Sequence, residues 1–387
     1  MAKYLYEFIQ DIAHKGIKNQ SENGSMPAGH NGPYFEKETP VRNTGHWLII
    51  FSKAYQISGQ SIYINAVQKA SEYLCSKEAR PKGASFHHRI DGADGCNGVI
   101  GAAWTIEALV EASKVLGDDK YLSVAEDVFL RHPFVNKFGV WKRLEFDGTV
   151  GRIDQTFNHQ LWFAACSSYL INGSEKYDIV EERVLRFLEM LTQNIALIRD
   201  GLIYHSIIRK LDLRSKTNKI LNLSMQLVEE AFGHPRKQLK ILNDSYNIFW
   251  KSIGYHSFNT FAFAMIKYNL PDLKLWDSSL VKNITDFLLE DSYKEMLSCE
   301  NYYGFPYNPP GFEVPVSLSH LTNINNEKMV QISNWWINEQ LDRHYNSKTG
   351  LLDRETCDPM TLTARVYELY RLPDYIAKNV VINYECI

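Results

Sequence analysis

Asp154, Asn158 and His159 fall within one short stretch, Arg152-Ile-Asp-Gln-Thr-Phe-Asn-His-Gln-Leu-Trp-Phe-Ala-Ala165. A carboxylate, an amide and an imidazole in such proximity can hold a substrate group and move a proton. The stretch follows a turn-rich segment, Glu145-Phe-Asp-Gly-Thr-Val-Gly151, and runs into a long apolar pattern. The three residues are therefore expected at the entrance of a helix over 154–170. On such a helix Asp154 and Asn158 are spaced i, i+4 and share a face, with His159 about 100° round from Asn158. Asp154 alone also reads as an N-cap for the amide of Thr156 or Phe157. His159 alone also reads as a histidine bonded between helices. Their combination after an irregular loop is what marks a site.

Further candidates stand in other loops. Phe86–Asn97 carries His87, His88, Arg89, Asp91 and Asp94. Arg89 suits a bidentate pair with a substrate carboxylate, and equally a salt bridge to Asp91. The adjacent histidines point apart and no second cluster has ligand spacing, so neither metal nor cofactor is expected. Gly254-Tyr-His-Ser-Phe-Asn259 repeats the style of the first stretch and offers His256. Asn301-Tyr-Tyr-Gly-Phe-Pro-Tyr-Asn308 offers Tyr303 and Tyr307, and Glu313 sits between Pro310 and Pro315. Glu313 also reads as a carboxylate facing a helix dipole. Trp141 is a flat face of the kind sugar clefts use, although most aromatic residues fill helix interfaces.

Helical periodicity supplies the elements that must position these groups. Helices are expected over 4–18, 44–57, 62–75, 98–116, 118–130, 154–170, 177–197, 221–232, 255–268 and 279–289. Others are expected from 314, over 328–344 and over 361–370, with hairpins over 138–153 and 202–208. One grammar recurs: Ser58-Gly59…Tyr63, Leu116-Gly117…Tyr121 and Asn172-Gly173…Tyr177, a glycine stop followed by a tyrosine early in the next helix. The glycines lie 58 and then 56 residues apart (117 − 59 and 173 − 117). Glycine there supplies the left-handed cap that closes a helical hairpin. The period exceeds that of most solenoids, and the surplus lies in loops before each first helix.

Composition narrows the class. Hydrophobic residues at 45% and aromatics at 13% are ample for a core. A net charge of −3 with no basic run excludes a nucleic-acid footprint. No apolar run reaches membrane-spanning length, and the start, Met1-Ala-Lys-Tyr-Leu-Tyr-Glu-Phe, is not a signal peptide. The 6 cysteines are scattered, as for free thiols in a reducing, cytoplasmic setting.

About six hairpins result if the first and last helices pair. That all-α pattern, with short β-hairpin insertions, resembles the (α/α)6 toroid of six-hairpin glycosidases, polysaccharide lyases and sugar 2-epimerases. The resemblance implies a single toroid over 1–387. It also implies a central cleft formed by the loops before residues 98, 154, 255, 314 and 361, with His46 nearby. Ile153-Asp154-x-x-x-Asn158-x-x-Leu161-x-x-Ala164 looks like the second carboxylate motif of unsaturated glucuronyl hydrolases. This implies that Asp154 protonates a vinyl ether and activates water, with Asp94, or else Asp91, as the second carboxylate. Phe157-Asn158-His159-x-x-Trp162 is similar to the Asn-Asn-His-x-x-Trp signature of toroid alginate lyases, with Phe157 in place of the first Asn. There the implied roles are carboxylate neutralisation by Asn158 and proton transfer by His159 with a distant tyrosine.

Both resemblances imply an acidic saccharide. The expectation is a carbohydrate-active enzyme that hydrolyses unsaturated uronyl residues through Asp154, Asp94 and His159. Substrate contacts would come from Asn158, His88, Arg89, Asp91, Trp141, His256, Tyr303, Tyr307 and Glu313. The alternatives are a lyase or epimerase using His159 and Tyr303, and a non-catalytic toroid that binds a glycan or a protein.

Overall fold

Gly59 and Gly117 adopt the left-handed conformation, at φ 68° and 66°, and stop their helices as their spacing predicts. The computed structural model describes residues 3–171, 176–198, 201–207 and 243–383. The break at Asn172–Gly173 and the helix expected over 221–232 lie outside the described residues. Helix α1 (Leu5–Ile17) precedes the hairpins α2 (Val41–Ser58) with α3 (Ser61–Cys75), α4 (Ile100–Leu116) with α5 (Asp119–Arg131), and α6 (Phe157–Ser168) with α7 (Tyr177–Glu189). Then follow α8 (Asn243–Gly254), α9 (His256–Asn269), α10 (Ser279–Phe287), α11 (Pro310–Leu321), α12 (Asn326–His344) and α13 (Pro359–Ala364), which continues as a 3-10 helix over Arg365–Arg371.

The inner helices touch in cyclic order, α2 to α4, α6, α9, α11 and the α13 segment, which closes back onto α2. This is a helical toroid. Sequence decides which helices are inner. Along α4 (IGAAWTIEALVEASKVL) nearly every position is buried, and Gly101, Ala102 and Ala103 let its neighbours approach. Helix α3 is amphipathic: Tyr63, Ala66, Val67, Ala70, Tyr73 and Leu74 are buried at helical spacing, so it covers the ring from outside. The strand Lys3–Tyr4 pairs antiparallel with Val381–Ile382, bringing the described ends of the chain together. No helix among the described residues is long and apolar enough to cross a membrane.

A three-stranded antiparallel sheet, Phe134–Val135, Val140–Leu144 and Val150–Ile153, occupies the expected hairpin region. It carries Trp141 into the core against Phe129, Phe134, Phe163 and Phe187. With no exposed surface, Trp141 is not a sugar platform.

The helix expected from residue 154 begins at Phe157. The reason is backbone pairing. Phe157 N donates to His205 O at 3.1 Å and Ile207 N to Gln155 O at 2.9 Å, which holds 155–157 extended. Asp154 therefore precedes the helix and shares no helical face with Asn158. Helix α11 starts at Pro310, four residues before Val314. A proline at the first helical position forfeits no hydrogen bond.

Candidate active site

The loops before the inner helices and their first turns enclose a cavity of about 230 Å³ on the ring axis. Arg42 of α2, Trp104 of α4, Asn158 and His159 of α6, Phe258 of α9 and Asn308 before α11 all line it. The N-terminal ends of parallel inner helices thus face one space, a setting that favours negative charge.

Asp154 lies behind this wall with no exposed surface. Its Oδ2 accepts from Val99 N at 3.1 Å and lies 2.7 Å from His159 Nδ1, while Oδ1 accepts from Thr156 N at 3.1 Å. Arg143 Nη2 approaches Oδ1 at 3.8 Å. Burial pushes the carboxyl up, but His159, Arg143 and the Thr156 amide outweigh it and hold the group well below the usual carboxylate range. Asp154 is therefore an anion that takes the Nδ1 proton of His159 as a hydrogen bond. That leaves Nε2 as the nitrogen free to act in the cavity.

Gly98 makes this pair possible. It sits at φ +60°, and a Cβ there would overlap both Asp154 Oδ2 and His159 Nδ1. Gly98→Ala is expected to destabilise the fold by roughly 1–3 kcal/mol, through left-handed strain and displacement of the pair. Urea denaturation checks this; wild-type stability would contradict the close packing.

The lining also carries groups that the sequence did not single out. His205 follows the strand Leu202–Ile203 and is fixed by its own N–H, which donates to Ser252 Oγ at 3.2 Å. Its Nδ1 is buried, with no hydrogen-bond partner among the described residues. Burial, with Lys251 and His159 nearby, pulls its pKa down to about 3, so it is neutral at physiological pH. Lys251, near the end of α8, lies over the rings of Tyr34 and Tyr303, at 4.9 and 5.3 Å. Among the described residues it makes no ion pair, and burial lowers its pKa. The Tyr34 and Tyr255 hydroxyls meet at 3.0 Å, and burial pushes both phenols up.

Arg42 stacks over Trp104 at 4.2 Å and pairs with Glu38 at 3.3 Å; Arg89 pairs with Glu36 at 3.2 Å and with the Asn97 side chain. Among the described residues the lining thus holds three cations, Arg42, Arg89 and Lys251, against one carboxylate, Glu36. Asn158 is also in the lining, and its buried Oδ1 has no hydrogen-bond partner among the described residues.

Of the residues expected here, Asn158, His159, Arg89 and Tyr307 line the cavity. Tyr307 donates to Asn31 Oδ1 at 2.7 Å. Tyr303 stands one layer back, its ring 6.0 Å from Tyr34. Asp94 is outside the lining; it accepts from Gly98 N at 3.0 Å and Arg143 Nη1 at 2.9 Å, which supports the Gly98 turn. Asp91 lies on the surface and accepts from Lys37 N.

Four expectations are corrected. His256 is buried, with Nε2 2.9 Å from Ile284 O and Nδ1 accepting from Ile203 N at 3.4 Å, so both nitrogens serve packing. His88 is enclosed beside Phe86 and Trp104, and His46 is stacked on Tyr367 at 4.1 Å. Glu313 is fully buried in an ion pair with Arg365. Burial against helix neighbours removed these groups from the cavity. Nothing in their local sequence distinguishes that outcome.

Among the described residues, ligand atoms of Asp94, Cys96 and Glu145 lie within 4.8 Å of one another. They are already engaged: Asp94 by Gly98 and Arg143, and Glu145 by Gly95 N at 3.1 Å. Burial also pushes the Cys96 thiol up, away from the thiolate a metal needs.

The chain is 38% identical to archaeal glycosylation protein Q of Haloferax volcanii over 377 residues, which is 96% of this chain and 98% of that protein. No protein-family model matches it. Its fold matches that of cellobiose 2-epimerase from Bacillus thermoamylovorans at TM-score 0.61 and 10% identity, over 94% of this chain and 99% of that one. An unsaturated glucuronyl hydrolase specific for heparin matches at TM-score 0.59 and 13% identity, over 96% and 97%. These are (α/α)6 toroids of carbohydrate-active enzymes, as the hairpin period predicts.

Proposed function

Because the chain belongs to the family of archaeal glycosylation protein Q, we propose that it is a sugar-processing enzyme whose cleft takes one uronic-acid unit and moves a proton at the carbon bearing its carboxylate. The observation that carries this reading is the Asp154–His159 pair at 2.7 Å, which commits Nδ1 and leaves Nε2 for the cavity. The substrate carboxylate lies against Lys251, the lining cation without an ion-pair partner among the described residues. Neutralising that carboxylate lowers the cost of placing more negative charge on it.

His159 Nε2 takes the proton. The C–H electron pair moves into the carboxyl group as an enediolate, and the new imidazolium is held against the Asp154 anion. Return of a proton to the other face, from the Tyr255 phenol, inverts the carbon; exchange with solvent then reprotonates the phenolate and removes the proton from His159. That reaction is epimerisation. The cavity of about 230 Å³ supports it, since this is room for about one pyranose ring rather than a polymer chain.

Hydration of an unsaturated uronyl residue is the second reading, and the motif around Asp154 favours it. It asks for a carboxylic acid, whereas Asp154 is held ionised. Proton NMR in D2O with glucuronic acid, galacturonic acid and their methyl glycosides tests the proposal. Deuterium should enter at the carboxylate-bearing carbon as the epimer forms. Consumption of an unsaturated uronyl disaccharide, with loss of its ultraviolet absorbance and no such exchange, would put hydration in its place. If neither substrate changes but a uronate raises the melting temperature, the toroid is a binding protein.

Lys251→Met is expected to raise KM for an acidic sugar by about 10- to 100-fold and to change kcat less. An unchanged KM would remove Lys251 from carboxylate recognition.

A further inference from the structure

The inner helices have a second end. A cavity of about 710 Å³ opens there, three times the volume of the first. The same helices line both: Arg42 of α2 faces one and Gln56 the other, Trp104 of α4 one and Glu111 the other, Phe258 of α9 one and Tyr268 the other. We propose that this opposite mouth is a second ligand site, which takes a neutral oligosaccharide of about two or three units.

The argument begins from helix polarity. The first cavity gathers helix N-termini and the second gathers C-termini, whose unsatisfied carbonyls attract hydrogen-bond donors and repel anions. A hydroxyl-rich molecule fits that field and a uronate does not. Side-chain charge agrees. Lys53, Lys114 and Arg371 face Glu107, Glu111, Asp119 and Asp374, and these pair internally, Arg371 with Glu107 and Lys53 with Asp374 at 3.7 Å. Near-balance of this kind selects no strongly charged ligand.

The wall and floor supply what a sugar ring needs. Tyr268 is 62% exposed at the rim, with its ring 6.3 Å from Tyr169 at an interplanar angle of 29° and 5.8 Å from His320 edge-on. It offers a flat, braced face to the C–H side of a pyranose. On the floor Glu111 Oε1 accepts from Ser52, from Gln56 at 3.2 Å and from Tyr370 at 2.9 Å. Three donors on one oxygen fix the carboxylate, and Oε2 makes no hydrogen bond among the described residues. A fixed carboxylate oxygen is a strong acceptor for paired sugar hydroxyls. Tyr169, also in the lining, adds a buried hydroxyl with no hydrogen-bond partner among the described residues.

Saturation-transfer NMR and calorimetry with cellotriose, maltotriose and mannotriose test the site. At least one should bind at roughly millimolar strength. Tyr268→Ala, at an exposed position that the fold tolerates, should weaken that binding by about tenfold or more. His159→Ala should leave it unchanged, because His159 belongs to the other cavity. Failure of all three sugars to bind at about 20 mM would overturn the proposal. So would binding that His159→Ala abolishes and Tyr268→Ala spares. Preferential binding of tetramethylammonium over every trisaccharide would overturn it too, since that marks a cation site. Because these readouts need no turnover, they stand or fall separately from the proton-transfer reading.

Discussion

Replacement of His159 by alanine is expected to lower kcat for a uronate substrate by about 10³-fold and to leave KM within a few-fold of wild type. The size follows from the role: His159 is the imidazole whose Nε2 meets the substrate and whose Nδ1 is held by a buried anion. Asp154→Asn should cost less, about 10- to 100-fold, because it misdirects the ring without removing it. Steady-state rates for the two variants, read beside deuterium exchange, separate the two chemistries. In the hydration reading Asp154 carries the proton itself, so Asp154→Asn would be at least as damaging as His159→Ala. That order of severities would overturn the proton-transfer assignment.

Arg365→Leu is expected to destabilise the protein by about 3–5 kcal/mol, the range for an ion pair broken inside a core. Arg365 is buried with Glu313 and Glu368, and it also donates to Asn308 Oδ1 at 3.2 Å. Burial raises both carboxyl pKa values even with the guanidinium present. Without it they rise further, so the folded variant holds protons that its unfolded chain releases near pH 4.5. A group whose folded pKa is raised contributes stability below its unfolded pKa and loses it as pH climbs through the folded value. The deficit of Arg365→Leu should therefore be larger at pH 8 than at pH 5. Urea midpoints at the two pH values check the sign. Adding Glu313→Gln and Glu368→Gln should recover much of the loss, and an equal deficit at both pH values would contradict the account.

What the sequence made legible was periodic or local. The glycine stops at Gly59 and Gly117 and the buried stripe of α3 are written in nearest-neighbour terms, and the toroid follows from them. Asn158 and His159 were legible because their loop context differs from that of a packing helix. His256 has nearly the same context, yet its ring is taken by Ile284 and Ile203, residues remote in sequence. Lys251 and His205 were missed for the converse reason. Lys251 ends a helix of ordinary composition and His205 follows a two-residue strand, and only the closed ring brings either to the axis. Asp154 was found for the wrong geometry. Its helical spacing to Asn158 does not exist, because a backbone pairing with 205–207 delays the helix.

Asp154 also accepts the amide of Val99, at the start of α4, while it steadies an imidazole on α6. One carboxylate is thus a joint between two staves of the barrel as well as the rest on which the proton-carrying ring leans. The aim of His159 and the spacing of α4 and α6 are mechanically a single adjustment. Anything that grips the imidazole from the cavity also tightens that joint, so occupancy of the cleft should be felt as stiffness along the length of both helices.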